Sequence, residues 1–283
     1  MNTINKLFNL KDKTVILTGS AGRLGSKFAH ALTDAGANVV LVDIDEQKNS
    51  ELEKSIIEKY WSDDNHSHPF LTTNPMLSTT DIANESEVKK MVEVTLKKYG
   101  KIDVLVNNAH FVPREDPKRD APFEEYPLEL WDNATRINTR SLFLCCQEVG
   151  RAMRKQSTNG VIVNISSIYG MQGSDQRIYE KSKSRVNSPP YYALTKGGMI
   201  NFTRYLAAYW NRKNIRVNTL SLGGVIDAKL HDDEFIKKYS EKTMIGRMAN
   251  TDDYNGALLF LCSDASAYMT GSNLIIDGGW SAW

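Results

Sequence analysis

The sequence predicts an α/β fold, a doubly wound seven-stranded parallel sheet with helices on both faces, built as one domain over residues 1–283. Three observations predict it. Short apolar runs alternate with longer helical patterns at βαβ spacing. Most of the runs are continuously apolar, which is what strands covered on both faces require. Glycine-rich or polar turns follow their carboxyl ends, the side on which doubly wound sheets bind ligands.

Taken in order, TVILTG (14–19) is a β-branched strand ending in glycine, and a helical pattern from about 23 to 36 closes on Gly36. NVVLVDID (38–45) is a second apolar strand, followed by a charged helix over roughly 46 to 60. Residues 61–79 have turn composition and read as a loop with a short strand near its end. SEVKKMVEVTLKKYG gives an amphipathic helix with Val88, Met91, Val92, Val94 and Leu96 as its apolar residues. IDVLVNNA is a strand, and LELWDNATRINTRSLFLCCQEVGRAMRK a long, mostly apolar helix. GVIVNISS is a further buried strand, and a helix over about 191–212 leads into IRVNTLSLGG. A loop-rich stretch, a helix near 251–262 and NLIIDGG follow. No linker, internal repeat or low-complexity tract divides the chain.

Bulk properties narrow the partners. Hydrophobic content of 41% and charged content of 24% suit an ordinary buried core. A net charge of +1 gives no reason to expect nucleic acid or an anionic membrane. Cys145, Cys146 and Cys262 are odd in number and lack metal or redox spacing, so they read as buried small hydrophobes in a reducing compartment. The opening MNTINKLFNLKDK has no apolar signal core, and no run approaches the roughly 18 apolar residues of a bilayer span. The expected location is the cytoplasm.

TGSAGRLG (18–25) joins the first strand to the first helix. Glycines there let the backbone turn tightly and approach a pyrophosphate, while the helix amides and dipole favour its negative charge. Asp43, at the end of the second strand, can accept hydrogen bonds from both adenosine ribose hydroxyls and repels a 2′-phosphate. The pair predicts a dinucleotide site that prefers NAD to NADP.

With these motifs in view, the chain resembles the short-chain dehydrogenase/reductase family, in its single-domain Rossmann form. TGSAGRLG, NNAH (107–110), RINTRS with Asn138, NISS (164–167) and YALTK (192–196) stand in the family's order. So do RVNTLSLGG (216–224) and IIDGGW (275–280), so the resemblance covers essentially the whole chain. It implies cofactor contacts at Gly19, Arg23, Leu24, Asp43, Asp81, Asn108, Ala109, Gly224 and Val225, besides Tyr192 and Lys196. It also implies a homo-oligomer, a tetramer or a dimer, paired through the two long helices.

Three positions depart from the family pattern. Arg23 stands at the middle glycine, with Gly22 displaced by one residue, and its guanidinium could approach the pyrophosphate or accept a 2′-phosphate. His110 replaces the last glycine of NNAG and is expected to pack over the cofactor; Leu222 replaces a proline beside the nicotinamide. His66 and His68 with Asp63 and Asp64 lack a strong third ligand on a rigid element, so no metal is expected.

Hydride transfer needs a group that gives or takes the alcohol proton. Free tyrosine, with a pKa of about 10, is a poor base at neutral pH. A lysine ammonium one helical turn away favours the phenolate, which explains Tyr-x-x-x-Lys at Tyr192 and Lys196. Tyr191 has no lysine at that spacing. The resemblance implies that Ser167 hydrogen-bonds the substrate oxygen, that Lys196 also holds the nicotinamide ribose, and that Asn138 holds the lysine through a water.

The stretch between Ser167 and Tyr192 is long for the family and carries Arg177, Lys181, Lys183 and Arg185 against Asp175 and Glu180. Its net positive charge suits a phosphate, carboxylate or nucleotide group on the substrate. YEKSKSRVNSPPYYALTKGG also resembles, more loosely, a bacterial subgroup near sugar and flagellin-glycan biosynthesis. The expected activity is NAD-dependent interconversion of a secondary alcohol and a ketone on a polar, carbohydrate-derived small molecule. The alternatives are a 3-oxoacyl-thioester reductase and a dinucleotide-binding regulator without turnover.

Overall fold

The computed structural model describes residues 3–61, 73–113, 116–156, 158–180, 182, 187–227 and 229–283. In chain order the main elements are α1 (Thr3–Phe8), β1 (Thr14–Thr18), α2 (Arg23–Asp34), β2 (Asn38–Asp43), α3 (Glu46–Trp61) and β3 (Met76–Thr79). Then come α4 (Glu85–Tyr99), β4 (Val104–Asn107), α5 (Leu128–Lys155), β5 (Gly160–Ser167) and α6 (Pro190–Tyr209). β6 (Ile215–Leu222), α7 (Asp233–Glu241), α8 (Asn255–Cys262) and β7 (Asn273–Ile276) complete the set.

All seven strands run parallel in one sheet of order β3-β2-β1-β4-β5-β6-β7. The chain reverses direction across the sheet between β1 and β4, so their carboxyl ends border the crevice of a Rossmann fold. Strand alternation divides the core. Val15 and Leu17 pack under α2 and α8 with Phe28 and Leu258, while Ile16 faces α4 and α5 with Met91 and Val149. Burial on both faces is why the strands read as unbroken apolar runs.

The structure trims the sequence reading at its edges. β2 ends at Asp43 rather than 45, and β4 spans only Val104–Asn107, because pairing stops where the chain turns into the crevice. On α4 the buried stripe is Val88, Met91, Val92 and Thr95, and Val94 points to solvent. Two helices were not expected, α1 and α7. α7 lies in the loop-rich stretch and has only Phe235 and Tyr239 buried, one turn apart. Asp232 fixes its start by accepting a hydrogen bond from Phe235 N at 2.9 Å.

Candidate active site

The glycine turn is shaped by backbone contact. Gly19 has φ +65°, and a Cβ there would lie 2.7 Å from Ala109 Cα. A Cβ on Gly25 would lie 1.9 Å from Gly19 O, so α2 can sit against the turn only with glycine at that position. Gly22 precedes α2 and offers no side-chain cap, which leaves the helix's first amides available to an anion. Asp43 ends β2, where Oδ2 accepts from Ala21 N and Oδ1 from Asp45 N, each at 3.0 Å. A carboxylate has about four acceptor sites, so two ribose hydroxyls can still be held. The donor set and cradle therefore fit a dinucleotide.

The other expected cofactor positions converge on the same edge. Asn108 donates to Thr18 O at 3.1 Å and Gly19 O at 3.0 Å, which ties β4 to the glycine turn. Ala109 N donates to Thr18 Oγ1 at 3.2 Å. Asp81 follows β3 and accepts from Ala83 N at 2.9 Å. Leu24 packs on the core, and Val225 is buried and bridges to Ala249. Gly224 N donates to the Tyr239 hydroxyl, and a Cβ on Gly224 would strike that ring. Arg23 reaches across to the loop after β6, with Nη1 2.8 Å from the Asp227 carboxylate.

On the other side of the crevice, Pro189 and Pro190 start α6, with proline in the first helical position. Tyr191 is buried in the protein, whereas Tyr192 is half-buried on the side that carries Lys196. Lys196 is 4% exposed, donates to Ile165 O at 2.8 Å, and lies 5.8 Å from the Tyr192 ring centre. No carboxylate pairs with it among the described residues. Burial alone pushes its ammonium down to about 8. Ser167 ends β5 and accepts from Tyr169 N at 3.2 Å. The Asn138 amide is used elsewhere, accepting from Phe111 N at 2.7 Å and donating to Phe111 O at 3.1 Å. It meets Lys196 only across a small cavity that both line.

A family model described as enoyl-(acyl carrier protein) reductase matches residues 19–281. The chain belongs to the short-chain dehydrogenase/reductase family. It is an oxidoreductase acting on CH–OH groups. It is 32% identical over 97% of its length to 2-dehydro-3-deoxy-D-gluconate 5-dehydrogenase of Dickeya dadantii, and covers 98% of that protein. Among solved structures, a short-chain dehydrogenase of Leptospira borgpetersenii with bound NAD+ is 32% identical at TM-score 0.80, with 99% and 96% of the chains covered. A gluconate 5-dehydrogenase of Burkholderia cenocepacia in complex with NADP and tartrate is 27% identical at TM-score 0.83, with 99% of each chain covered. Family structures of this shape thus take either nicotinamide cofactor.

In this short-chain dehydrogenase the stretch after Ser167 is folded where it is described. Ile178 and Tyr179 join Phe235, Tyr239 and Trp280 in a third hydrophobic cluster. Arg177 forms two 2.8 Å contacts with Asp175, which also pairs with Lys242 just after α7. Lys181, Lys183 and Arg185 lie outside the described residues, as do Asp63, Asp64, His66 and His68.

Sequence reasoning missed the polar frame beneath the site. Asn107 donates to Asn164 Oδ1, Asn164 donates to Thr203 Oγ1 (both 2.8 Å), and Thr219 donates to Thr203 at 2.7 Å. This buried chain locks β4, β5, α6 and β6 in register. Ser166 Oγ donates to Lys196 O at 3.0 Å, and Gly170 leaves no room for a Cβ against the Lys196 backbone. The signal was present: a polar residue interrupts each otherwise apolar strand, in VLVN, GVIVN and RVNT.

Proposed function

We propose that the chain oxidises a secondary alcohol of a carbohydrate or sugar acid to the ketone, or runs the reverse reduction, with Tyr192 as acid/base. One observation carries the assignment of roles. Lys196 is a sealed ammonium without a counter-ion among the described residues, one turn from a half-buried tyrosine at the crevice. Its charge favours the phenolate and so lets Tyr192 take a proton near neutral pH. Ser167 holds the substrate oxygen. Bound nicotinamide supplies the hydride acceptor or donor; Gly19, Arg23, Leu24, Asp43, Asp81, Asn108, Ala109, Gly224 and Val225 line its groove.

Asp43 supports NAD as the preferred form, because a 2′-phosphate would meet its carboxylate. The sugar-acid names of two relatives support the substrate class. The acyl-carrier description of the family model supports thioester reduction as a second reading. Exposed Phe143 on α5, and Tyr205 and Tyr209 stacked along α6, support pairing of two copies through these helices, as a dimer or tetramer. Trp280 is buried against Tyr239 within its own chain, whereas Trp283 stays exposed. Three buried free cysteines support a cytoplasmic setting. No described helix is long and apolar enough to cross a membrane.

The test is a panel of sugars, sugar acids and acyl thioesters, read by cofactor absorbance, with Tyr192→Phe beside the unmutated enzyme. The variant should bind cofactor normally and lose about 10²–10⁴-fold in kcat. A panel that responds only to thioesters would transfer the assignment to the second reading.

A further inference from the structure

The far end of the sheet carries a second cleft. It holds about 310 Å³ and lies at the amino ends of β4, β5 and β6, between the last turn of α6 and the segment after α8. β5 runs eight residues from this end to Ser167, so roughly 23 Å of strand separate the cleft from the crevice. Trp210 supplies an apolar part of the lining and is itself buried against Gly150, where a Cβ would strike its ring. The volume suits a small metabolite.

The charges around the cleft do not balance. Lys13, Arg212 and Arg216 line it against Asp103 and Asp264. The Asp103 carboxylate lies 3.7 Å from Lys13 but also 3.1 Å from Lys101, and it accepts from Thr14 N at 2.9 Å. Four cations therefore share two carboxylates. Cys262 adds no charge, because burial pushes its thiol up to about 12. Arg216 is half-buried, and its Nη1 donates to Ser266 Oγ at 3.0 Å and Met269 O at 3.2 Å. Its Nη2 donates to Ser263 O at 3.1 Å and Leu261 O at 3.4 Å. All four acceptors are neutral, and none of these bonds uses Nε. Burial works against this guanidinium and lowers its pKa, while Asp264 acts on it only through space.

The rim is uncommitted. Arg212 is exposed and forms no ion pair among the described residues. Arg212 and Asn214 have left-handed backbones, φ +57° and +58°, and Asp12, next to Lys13, is the third such non-glycine residue among those described. Asparagine and aspartate adopt that conformation readily, whereas arginine does so at a cost. The side-chain amides of Asn159, Asn211 and Asn214, all in the lining, bond to no other described residue. Each brings donors and an acceptor.

We propose that this cleft is a second ligand site, for a phosphorylated sugar or polyol. A phosphate monoester carries close to two negative charges at neutral pH, which matches the surplus of two positive ones. Arg212 and Lys13 donate to its oxygens, Arg216 supplies a fixed charge behind them, and the asparagine amides meet the hydroxyl groups. Occupation needs neither the cofactor groove nor Tyr192.

The test is calorimetry on the full chain with and without NAD, using ribose 5-phosphate, ribose, inorganic phosphate and succinate as probes. Ribose 5-phosphate should bind at least about tenfold more tightly than each of the others, and equally with and without NAD. Arg212→Glu reverses an exposed charge and should weaken that binding at least about tenfold, and Lys13→Gln should weaken it about three- to tenfold. Both variants should keep the melting temperature and the affinity for NAD. Arg216→Gln should abolish binding, but that side chain also holds four acceptors, so the first two variants decide. Unchanged affinity in both of them overturns the site, as does the absence of binding by ribose 5-phosphate. Equal binding of ribose removes the role of the phosphate and defeats the proposal. Equal binding of inorganic phosphate or succinate reduces the cleft to an adventitious anion site and defeats it as well.

Discussion

The two sides of the crevice are built by different means. On the proposed cofactor side, from β1 to β4, shape comes from the backbone: Gly19 and Gly25 leave no room for a Cβ, and Asn108 ties main-chain carbonyls together. On the proposed substrate side, from β5 to β7, shape comes from side chains. Ile178, Tyr179, Phe235, Tyr239 and Trp280 pack segments from three parts of the chain into one wall. A backbone cradle recognises what every dinucleotide has in common. A wall of side chains can be refitted to a new substrate without disturbing that cradle.

The comparison predicts that one added methyl on the first side matches the loss of an indole on the second. Gly25→Ala drives its Cβ into Gly19 O, and it should destabilise the fold by about 3 kcal/mol or more and weaken cofactor binding at least about tenfold. Calorimetry with NAD checks both effects, and near-normal binding would break the contrast. Trp280→Ala removes a ring stacked 4.3 Å from Tyr239 and should cost about 3–5 kcal/mol. Its kinetic signature should be a raised KM for substrate with cofactor affinity preserved, and the reverse pattern would place the indole on the wrong side of the divide.

A smaller effect, of opposite sign, sits where the two sides meet. Folding lowers the Lys196 pKa from 10.5 to about 8, so between these values the unfolded chain binds more protons. Stability of the unmutated enzyme should therefore rise with pH across that window. Below about pH 8 the buried ammonium is a full burden, and Lys196→Met should stabilise the fold by about 1–3 kcal/mol while abolishing turnover. Thermal melts at about pH 7 and 10 check the sign, because the gain should shrink at the higher pH. The smallest effect belongs to Asp43→Ala, expected to narrow the preference for NAD over NADP by about tenfold, near 1.4 kcal/mol. Tighter NADP binding in the unmutated protein would turn attention to Arg23 and its pairing with Asp227.

How much of this was legible in the sequence divides along the same line. Strand and helix periodicity, the glycine turn, Asp43 and the Tyr192–Lys196 spacing are local patterns. The seven-stranded parallel sheet they imply appears in the structure with its strand ends trimmed. α7 escaped because two buried residues, Phe235 and Tyr239, make too short a stripe to announce a helix. Composition counts Arg177 and Asp175 in the segment but cannot show that the two face one another, because that pairing depends on how the segment folds. The burial of Trp280 cannot be read locally either, because its partner, Tyr239, lies far from it in the chain.

By itself the sequence determined which chemistry the chain can carry, since that depends on residue types held at fixed spacing along one helix or turn. Only the tertiary structure decided the electrostatic state of those groups. Among the described residues Lys196 is sealed without a counter-ion, the Asn138 amide is engaged by Phe111, and His110 keeps an unpaired nitrogen beside both tyrosines. Burial and pairing are set by residues brought together from distant strands and helices, and those contacts have no period along the chain from which they could be read.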